Sequence, residues 1–266
     1  MYWQKRFDRE NPNKELENKI IEIREEHKNF GYRRVCGELK NQGIKANKKR
    51  VQRIMQKLNL QVTSFTRKSR KYSSYKGNVG KIAPNRINRR FHTSVPHQKI
   101  TTDTTEFKYY EIDSKGRMVI KKLYLDPFLD MFNGEVLSYG ISKNPSATSV
   151  LAAQKEAIEI TSDCLYRRTF HSDRGWAYQM KAYSNALKEN KIFQSMSRKG
   201  NCYDNSVMEN FFGILKQEMY YGTTYYSFDE LKEAIEKYIK YYNEKRIKEK
   251  LGWMSPVQYR LNAMAA

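Results

Sequence analysis

Cysteine is nearly missing from this chain, with only Cys36, Cys164 and Cys202 among 266 residues. An odd, widely spaced trio makes neither a disulfide framework nor a CxxC metal pair, and it suits a reducing cytoplasm. Long apolar runs are missing too. No stretch is long enough to span a bilayer, and the first residues, Met1 to Asp8, lack the apolar core of a signal peptide, so no membrane partner is expected. Histidine is scarce, at His27, His92, His97 and His171. His92 and His97 are spaced like half a zinc site, but no cysteine pair completes it. Neither a Walker A sequence nor G-x-G-x-x-G occurs, so ATP- or NAD-driven chemistry has no support. No internal repeat breaks the chain into units.

Basic charge is what the chain has in excess: 50 Lys and Arg against 29 Asp and Glu, a formal net charge of +21. That excess favours a polyanionic partner, because each cation that neutralises a phosphate releases condensed counterions. Bulk charge does not separate DNA from RNA. With 20 Tyr and 12 Phe, a folded core is expected rather than a basic tail.

The order of patterns along the chain predicts four parts. Residues 1–61 read as three helices, with Leu16, Ile20 and Ile23 on the first, Val35 and Leu39 on the second, and Val51, Ile54, Met55 and Leu58 on the third. Asn47 is placed to cap the third helix, which carries Lys48, Lys49, Arg50, Arg53 and Lys57. Short helices with a basic last one fit a helix-turn-helix entering a major groove; a helical bundle with a solvated basic face is the plain alternative. Residues 62–98 form a basic linker containing Arg67, Lys68, Arg70, Lys71, Arg89 and Arg90 and no Asp or Glu, suited to lie along a phosphate backbone.

Residues 99–221 then alternate strands and helices. Strands are expected over 100–110, 118–125, 135–141, 168–171 and 192–196, with helices over 147–160 and 177–189. The fold class is α/β: a mixed five-stranded sheet flanked by helices. Residues 222–266 are expected to be a helical extension, with Ser227 and Glu230 forming a capping box.

Three carboxylates stand out in this basic chain. Asp173 lies in His-Ser-Asp-Arg-Gly, and Glu209 follows after 35 intervening residues in Asn-Ser-Val-Met-Glu-Asn-Phe-Phe. Asp103 lies upstream in Thr-Thr-Asp-Thr-Thr-Glu-Phe, expected in mid-strand. Carboxylates at strand ends and on an adjoining helix converge at one sheet edge and offer hard oxygen ligands to Mg2+. Two such ions, about 3.5–4 Å apart, would stabilise the attacking and leaving oxygens of an in-line displacement at phosphorus.

On the glutamate's helix, Gly213 and Lys216 are expected to share its face, leaving room for a strand and a cation for its phosphate. Val207, Phe211 and Ile214 are expected on the buried side. Ser206-x-x-Glu209 fits a capping box equally well, in which Glu209 only folds back on the helix terminus. Asp126, Asp130 and Asp204 are further acids that periodicity leaves open as ligands, though strand-closing and turn roles suit them.

These blocks resemble the DDE transposases of bacterial insertion sequences, specifically the second-reading-frame product of the IS-three family. The resemblance runs through Tyr32-Arg33-Arg34-Val35, Lys49 to Met55, Pro84 to Phe91, the three acidic blocks, and Tyr241-Tyr242-Asn243, Arg246, Leu251 and Ser255-Pro256. It implies an RNase H-like fold shared with retroviral integrases. It also implies Asp103, Asp173 and Glu209 as catalytic metal ligands, and Mg2+ or Mn2+, two ions, as cofactor. DNA is the implied substrate, held by the N-terminal helices, the linker, Arg198, Lys199 and Lys216. A homo-oligomer in the DNA complex, the upstream reading-frame product as partner, and a bacterial, nucleoid-associated location follow from the same resemblance. The rivals are a non-catalytic DNA-binding regulator and an RNase H-like nuclease that cleaves without joining.

Overall fold

The computed structural model describes residues 11–63, 80–199 and 201–265, which divide into two compact units: 11–63 with Ile247–Met254, and 80–246 with 255–265. Arg67, Lys68, Arg70 and Lys71 lie outside the described residues.

In the first unit, α1 (Lys14–Glu26), α2 (Tyr32–Asn41) and α3 (Lys48–Lys57) are the three helices that the apolar spacing predicts. Their core is Ile20, Ile23, Phe30, Val35, Leu39, Val51, Ile54 and Met55, while Leu16 and Leu58 are half-buried. The Asn47 side chain accepts from the Lys49 N–H at 2.8 Å, a cap that stabilises α3 by about 1 kcal/mol. Gly37 of α2 faces the Trp253 indole so closely that a Cβ would overlap the ring, and Asn41 Nδ2 donates to the Trp253 carbonyl at 2.9 Å. Glycine at position 37 is what lets the 247–254 segment lie against α2.

The second unit is built on one mixed sheet. Its strands are β1 (Lys99–Thr102), β2 (Thr105–Ile112), β3 (Met118–Asp130), β4 (Val136–Ser142), β5 (Thr169–Ser172) and β6 (Phe193–Met196). β3 pairs antiparallel with β4 on one side and with β2 and β1 on the other, while β5 and β6 continue parallel beyond β1. Its helices are α4 (Ala147–Ile160), α5 (Trp176–Gln179), α6 (Lys181–Glu189), α7 (Ser206–Leu215), α8 (Phe228–Glu244) and α9 (Pro256–Ala265). α4, α5 and α6 cover one face of the sheet through Val150, Ala157, Tyr178, Tyr183 and Leu187. α7 and α8 cover the other through Met208, Phe211, Leu215, Leu231, Ile235 and Tyr242. Each large apolar side chain so buried contributes roughly 1.5–3 kcal/mol.

Four expectations need correction. The strand expected over 100–110 is two strands, so the sheet has six strands rather than five, and Asp103 stands in the gap instead of in mid-strand. β3 does not stop at Leu125 but runs on to Asp130, so Asp126 lies within the strand while Asp130 closes it. The helix expected over 177–189 is interrupted at Met180, whose extended backbone (φ −65°, ψ 144°) ends α5 and opens α6. On α7 the buried stripe is Met208, Phe211, Phe212 and Leu215, leaving Val207 and Ile214 only half-buried. Two adjacent phenylalanines pull the stripe round, because spacings of three and four residues from Met208 and Leu215 place both rings against the sheet.

Ser227 caps α8 as expected, accepting from the Glu230 N–H at 3.0 Å. Glu230 reaches back to the Tyr226 N–H at 2.7 Å.

Candidate active site

The gap at Asp103 has a covalent cause. The β3 register runs unbroken from Thr102↔Phe128 to Thr105↔Leu125, which sets Asp103 opposite Pro127. Met131 N–H donates to the Lys99 carbonyl at 2.8 Å, so every second residue of β3 back from Met131 turns its N–H toward this edge. Pro127 falls in that series and has no N–H to give. The ladder opens there, and the Asp103-Thr104 backbone is released from the sheet. The Asp103 carboxylate is then held locally: Oδ1 accepts from the Thr104 N–H at 2.8 Å and Oδ2 from Asn205 Nδ2 at 2.7 Å.

Asp173 reaches the same place by parallel pairing. β5 runs beside β1 with Thr101 level with His171, and Asp103 and Asp173 each lie two residues further on. Parallel strands deliver their C-terminal ends to one edge, so both carboxylates emerge together. Asp173 Oδ1 accepts from the Gly175 N–H at 2.7 Å, which fixes the carboxylate over its own turn.

Glu209 comes from the first turn of α7, and the Asn205–Asp103 hydrogen bond pins the start of that helix to the end of β1. The capping box that Ser206 and Glu209 could make does not form; Ser206 is already helical and Asn205 precedes the helix without a side-chain cap. The Glu209 carboxylate is exposed. Gly213 lies one turn on, with open space where a side chain would be. Lys216 lies beyond the end of α7, in a π-helical turn (Lys216–Tyr220). Its Nζ donates to Thr105 Oγ1 at 2.6 Å and to the Glu106 carbonyl at 3.0 Å, tying α7 to β2.

The electrostatics follow from these placements. Burial pushes the Asp103 carboxyl well above the ordinary carboxylate range, and the Asp173 charge and, less strongly, Glu209 push it further. The Thr104 and Asn205 hydrogen bonds oppose that rise without cancelling it. Asp173 is raised by burial against the pull of the Gly175 N–H, and Glu209 is raised by partial desolvation. Among the described residues no Lys or Arg forms an ion pair with any of the three. In a chain of +21 this is a selective omission.

A second layer that sequence reasoning missed lies beneath. Thr104 Oγ1 donates to Asp126 Oδ1 at 2.6 Å, and Ser149 Oγ to Asp126 Oδ2 at 3.3 Å. The buried Tyr178 hydroxyl stands 3.4 Å from Thr104 Oγ1, and its ionisation is suppressed by burial and by Asp103, Asp126 and Asp173. Asp126 thus serves the Asp103 turn from below. Period-two alternation carries no signal for this, because it depends on a break in one strand facing an acid in the next.

The donor set fits a divalent cation. All three side chains are hard oxygen ligands, two of them held as like charges at one strand edge. The Asn205 amide adds an independent sign: Nδ2 faces Asp103, which leaves Oδ1 buried and without a partner. An acceptor orphaned beside carboxylates calls for a water or a cation. As they stand, no three acidic, His or Cys groups among the described residues are drawn together closely enough to hold an ion. The fit therefore rests on donor chemistry and on the orphaned acceptor.

The basic residues predicted to meet DNA fall into distinct settings. Lys48, Lys49, Arg50 and Arg53 all lie on the exposed side of α3; among the described residues Lys49 and Arg53 make no side-chain bond, Arg50 donates to Asn13 Oδ1 at 2.8 Å, and Lys48 approaches Glu249 at 3.8 Å. Lys199 and Arg90 are exposed. Arg89 and Arg198, in contrast, both close on the buried Asp204. His97 of the spaced histidine pair contacts Asp163 at 2.6 Å through Nδ1.

With this geometry in hand, likeness to known proteins becomes informative. Residues 94–202 and 209–264 match the family described as integrase core domain, and residues 11–69 match an HTH-like domain. An uncharacterized transposase-like protein of Haemophilus influenzae is 46% identical over 221 residues, covering 83% of this chain and 96% of that protein. InsK of Escherichia coli, named as a transposase for insertion sequence element IS150, is 42% identical over 92% of this chain and 83% of its own length. The Escherichia coli transposase InsF for insertion sequence IS3A is 31% identical over 89% of this chain and 78% of its length. The chain belongs to the insertion-sequence transposases of the IS-three family, with an integrase core and an HTH-like domain.

Proposed function

We propose that this chain is a DNA transposase whose centre is Asp103, Asp173 and Glu209. These three would hold Mg2+ or Mn2+, two ions, which when bound supply Lewis-acid stabilisation of the attacking and leaving oxygens. The observation that carries the reading is that Asp103 and Asp173 stand at neighbouring strand ends with Glu209 near enough to act on Asp103 electrostatically, and that among the described residues none of the three has a basic partner in a chain carrying 50 Lys and Arg.

The chain's own groups have separable tasks. Asp103 and Asp173 supply negative charge at strand ends: Asp103 is oriented by the Thr104 N–H on one oxygen and Asn205 on the other, and Asp173 by the Gly175 N–H on Oδ1. Glu209 supplies a third carboxylate from a helix whose exposed side, opened by Gly213, has room for a nucleic-acid strand. A hydrolytic step would free a 3′-hydroxyl at an element end, and that hydroxyl would attack a second phosphodiester in strand transfer. No side chain need become covalently bound. Lys49 and Arg53 on the exposed side of α3 are placed to meet a DNA backbone, with Lys48, Arg50, Arg90 and Lys199 as further contacts. A homo-oligomer that holds two ends, and the upstream-frame product as partner, complete the reading.

The test is incubation of the purified chain with labelled element-end duplex and Mg2+, with and without the upstream-frame product, beside Asp173→Asn and Glu209→Gln. Wild type should nick and join, and each variant should lose about a hundred- to a thousandfold in rate, the scale of removing one transition-state charge stabiliser. Binding without nicking by wild type under every condition would mean a regulator instead. Nicking without joining would mean a nuclease. Undiminished activity in the variants would remove these residues from the centre.

A further inference from the structure

Asp204 is the most heavily gripped carboxylate near the site, and nothing in the reaction proposed above uses it. It is 1% exposed, in the turn just before α7. Arg198 donates to it three times, from its backbone N (3.0 Å), Nε (2.9 Å) and a terminal guanidinium nitrogen (2.8 Å). Arg89 Nε donates at 3.1 Å and Asn85 Nδ2 at 2.9 Å. To make that reach, Asn88 and Arg89 adopt left-handed backbone conformations, with φ of 47° and 62°. Consecutive positive φ values at non-glycine residues store strain that only strong partners hold in place.

The main chain of the same residue is fixed from the other side. His171 Nε2 lies 2.9 Å from the Asp204 carbonyl, which can only accept, so Nε2 carries the proton. On the other side of the ring, Nδ1 lies 2.9 Å from Ser195 Oγ. Ser195 Oγ in turn accepts from the Arg86 N–H at 2.9 Å. Segment 85–89 therefore closes on Asp204 twice, once by side chains and once through Ser195 and His171. The next residue, Asn205, holds Asp103 Oδ2 at 2.7 Å.

We propose that Asp204 is a positioning residue for the reaction: clasped by Asn85, Arg89 and Arg198, it sets Asn205, and through Asn205 the orientation of Asp103 and the entry of the helix carrying Glu209. The inference deepens the transposase reading and rests on it. It also gives Arg89 and Arg198 a task other than the phosphate contact expected of them. Their guanidinium forks are spent on a carboxylate, which is the bidentate geometry arginine favours. Segment 85–89 thereby becomes part of the centre's framework rather than the end of a basic tether.

The experiment uses the full chain and two variants, Asp204→Asn, which keeps shape and removes charge, and Arg89→Gln, which loosens one grip. Mn2+ affinity is measured by calorimetry without DNA, and kcat, KM for element-end duplex, and the salt dependence of DNA binding are measured with it. Asp204→Asn should bind Mn2+ about tenfold more weakly and lose ten- to hundredfold in kcat, with KM and the salt slope unchanged. Arg89→Gln should move Mn2+ affinity and kcat two- to fivefold in the same direction, which covers the case in which Asp204→Asn does not fold.

Wild-type Mn2+ affinity and kcat in a folded Asp204→Asn would overturn the proposal. So would an Arg89→Gln that lowers DNA affinity and the salt slope by about one while Mn2+ affinity holds, the signature of a lost phosphate contact. If wild type binds Mn2+ but never cleaves, the transposase reading fails and the Mn2+ affinities of the variants alone decide the clasp. No Mn2+ binding by wild type overturns both.

Discussion

Acids in this chain are treated in two opposite ways. Glu218, Glu135 and Asp204 are buried and each faces an arginine fork: Arg246 on Glu218 at 2.7 and 2.8 Å, Arg260 on Glu135 at 2.7 and 2.9 Å, and Arg198 on Asp204 at 2.8 and 2.9 Å. Asp103 and Asp173, half-buried at the sheet edge, face hydrogen-bond donors and, among the described residues, no cation; burial raises both above their ordinary range, and the Asp173 charge raises Asp103 further. The clamped acids are structural: they close α8 and α9 onto the sheet unit and fix the turn before α7. The unpaired acids carry a standing electrostatic cost that folding alone does not relieve. A cation at the centre proposed above would relieve that cost.

The contrast can be broken from the clamped side first. Arg246→Ala would leave Glu218 charged beside the Tyr238 hydroxyl in the interior, and removing one member of a buried pair costs about 3–5 kcal/mol. Urea denaturation of the variant should show a loss of that size. A loss below about 1 kcal/mol would mean that the pair is not a keystone of the unit.

Asp130 sharpens the contrast as an intermediate case. It is fully buried at the end of β3, accepts N–H bonds from His97 (2.8 Å) and Phe132 (2.9 Å), and faces Glu135, His97 and Arg260 without a direct ion pair. Burial pushes its carboxyl up to about 6. Because the folded value lies above the unfolded one, the folded chain holds this proton longer. The group's contribution is full below about pH 4 and is lost as pH climbs through about 6, a change on the order of 3 kcal/mol at most. The advantage of wild type over Asp130→Asn in urea midpoint should therefore shrink between pH 4 and 7. An advantage that grows over that range would reverse the assignment.

The smallest effect concerns the unpaired set. Asp173→Asn removes one like charge facing Asp103, so without divalent cation the variant should be as stable as wild type or more stable, by up to about 1 kcal/mol. A destabilisation of 2 kcal/mol or more would make Asp173 a structural residue like the clamped acids.

Much of this was legible in the sequence, and the residues say why. The three N-terminal helices, the Asn47 cap and the Ser227–Glu230 pair were legible because each depends on neighbours within four positions. A strand end was legible for Asp173 alone, since Asp103 was expected in mid-strand. The break at Asp103 was not legible, because its cause, Pro127, is distant in the chain and acts through the register. Asp204 read as a turn residue because its partners, Asn85 and Arg89, lie more than a hundred residues away. Arg89 looked free for phosphate for the same reason, and Arg198 because an acid six residues on in an irregular turn shares no helical or strand period with it. Local pattern finds elements and caps; it does not find which acid a given arginine meets.

Thermal denaturation of the full chain with and without Mn2+ shows whether the unpaired carboxylates form a cation centre. A ligand at a hundred times its dissociation constant stabilises the folded state by about 2.7 kcal/mol. Mn2+ should raise the Tm of wild type by several degrees, leave that of Asp173→Asn unchanged, and raise that of Arg53→Gln as in wild type. No rise in wild type, or an equal rise in Asp173→Asn, would contradict a cation centre there.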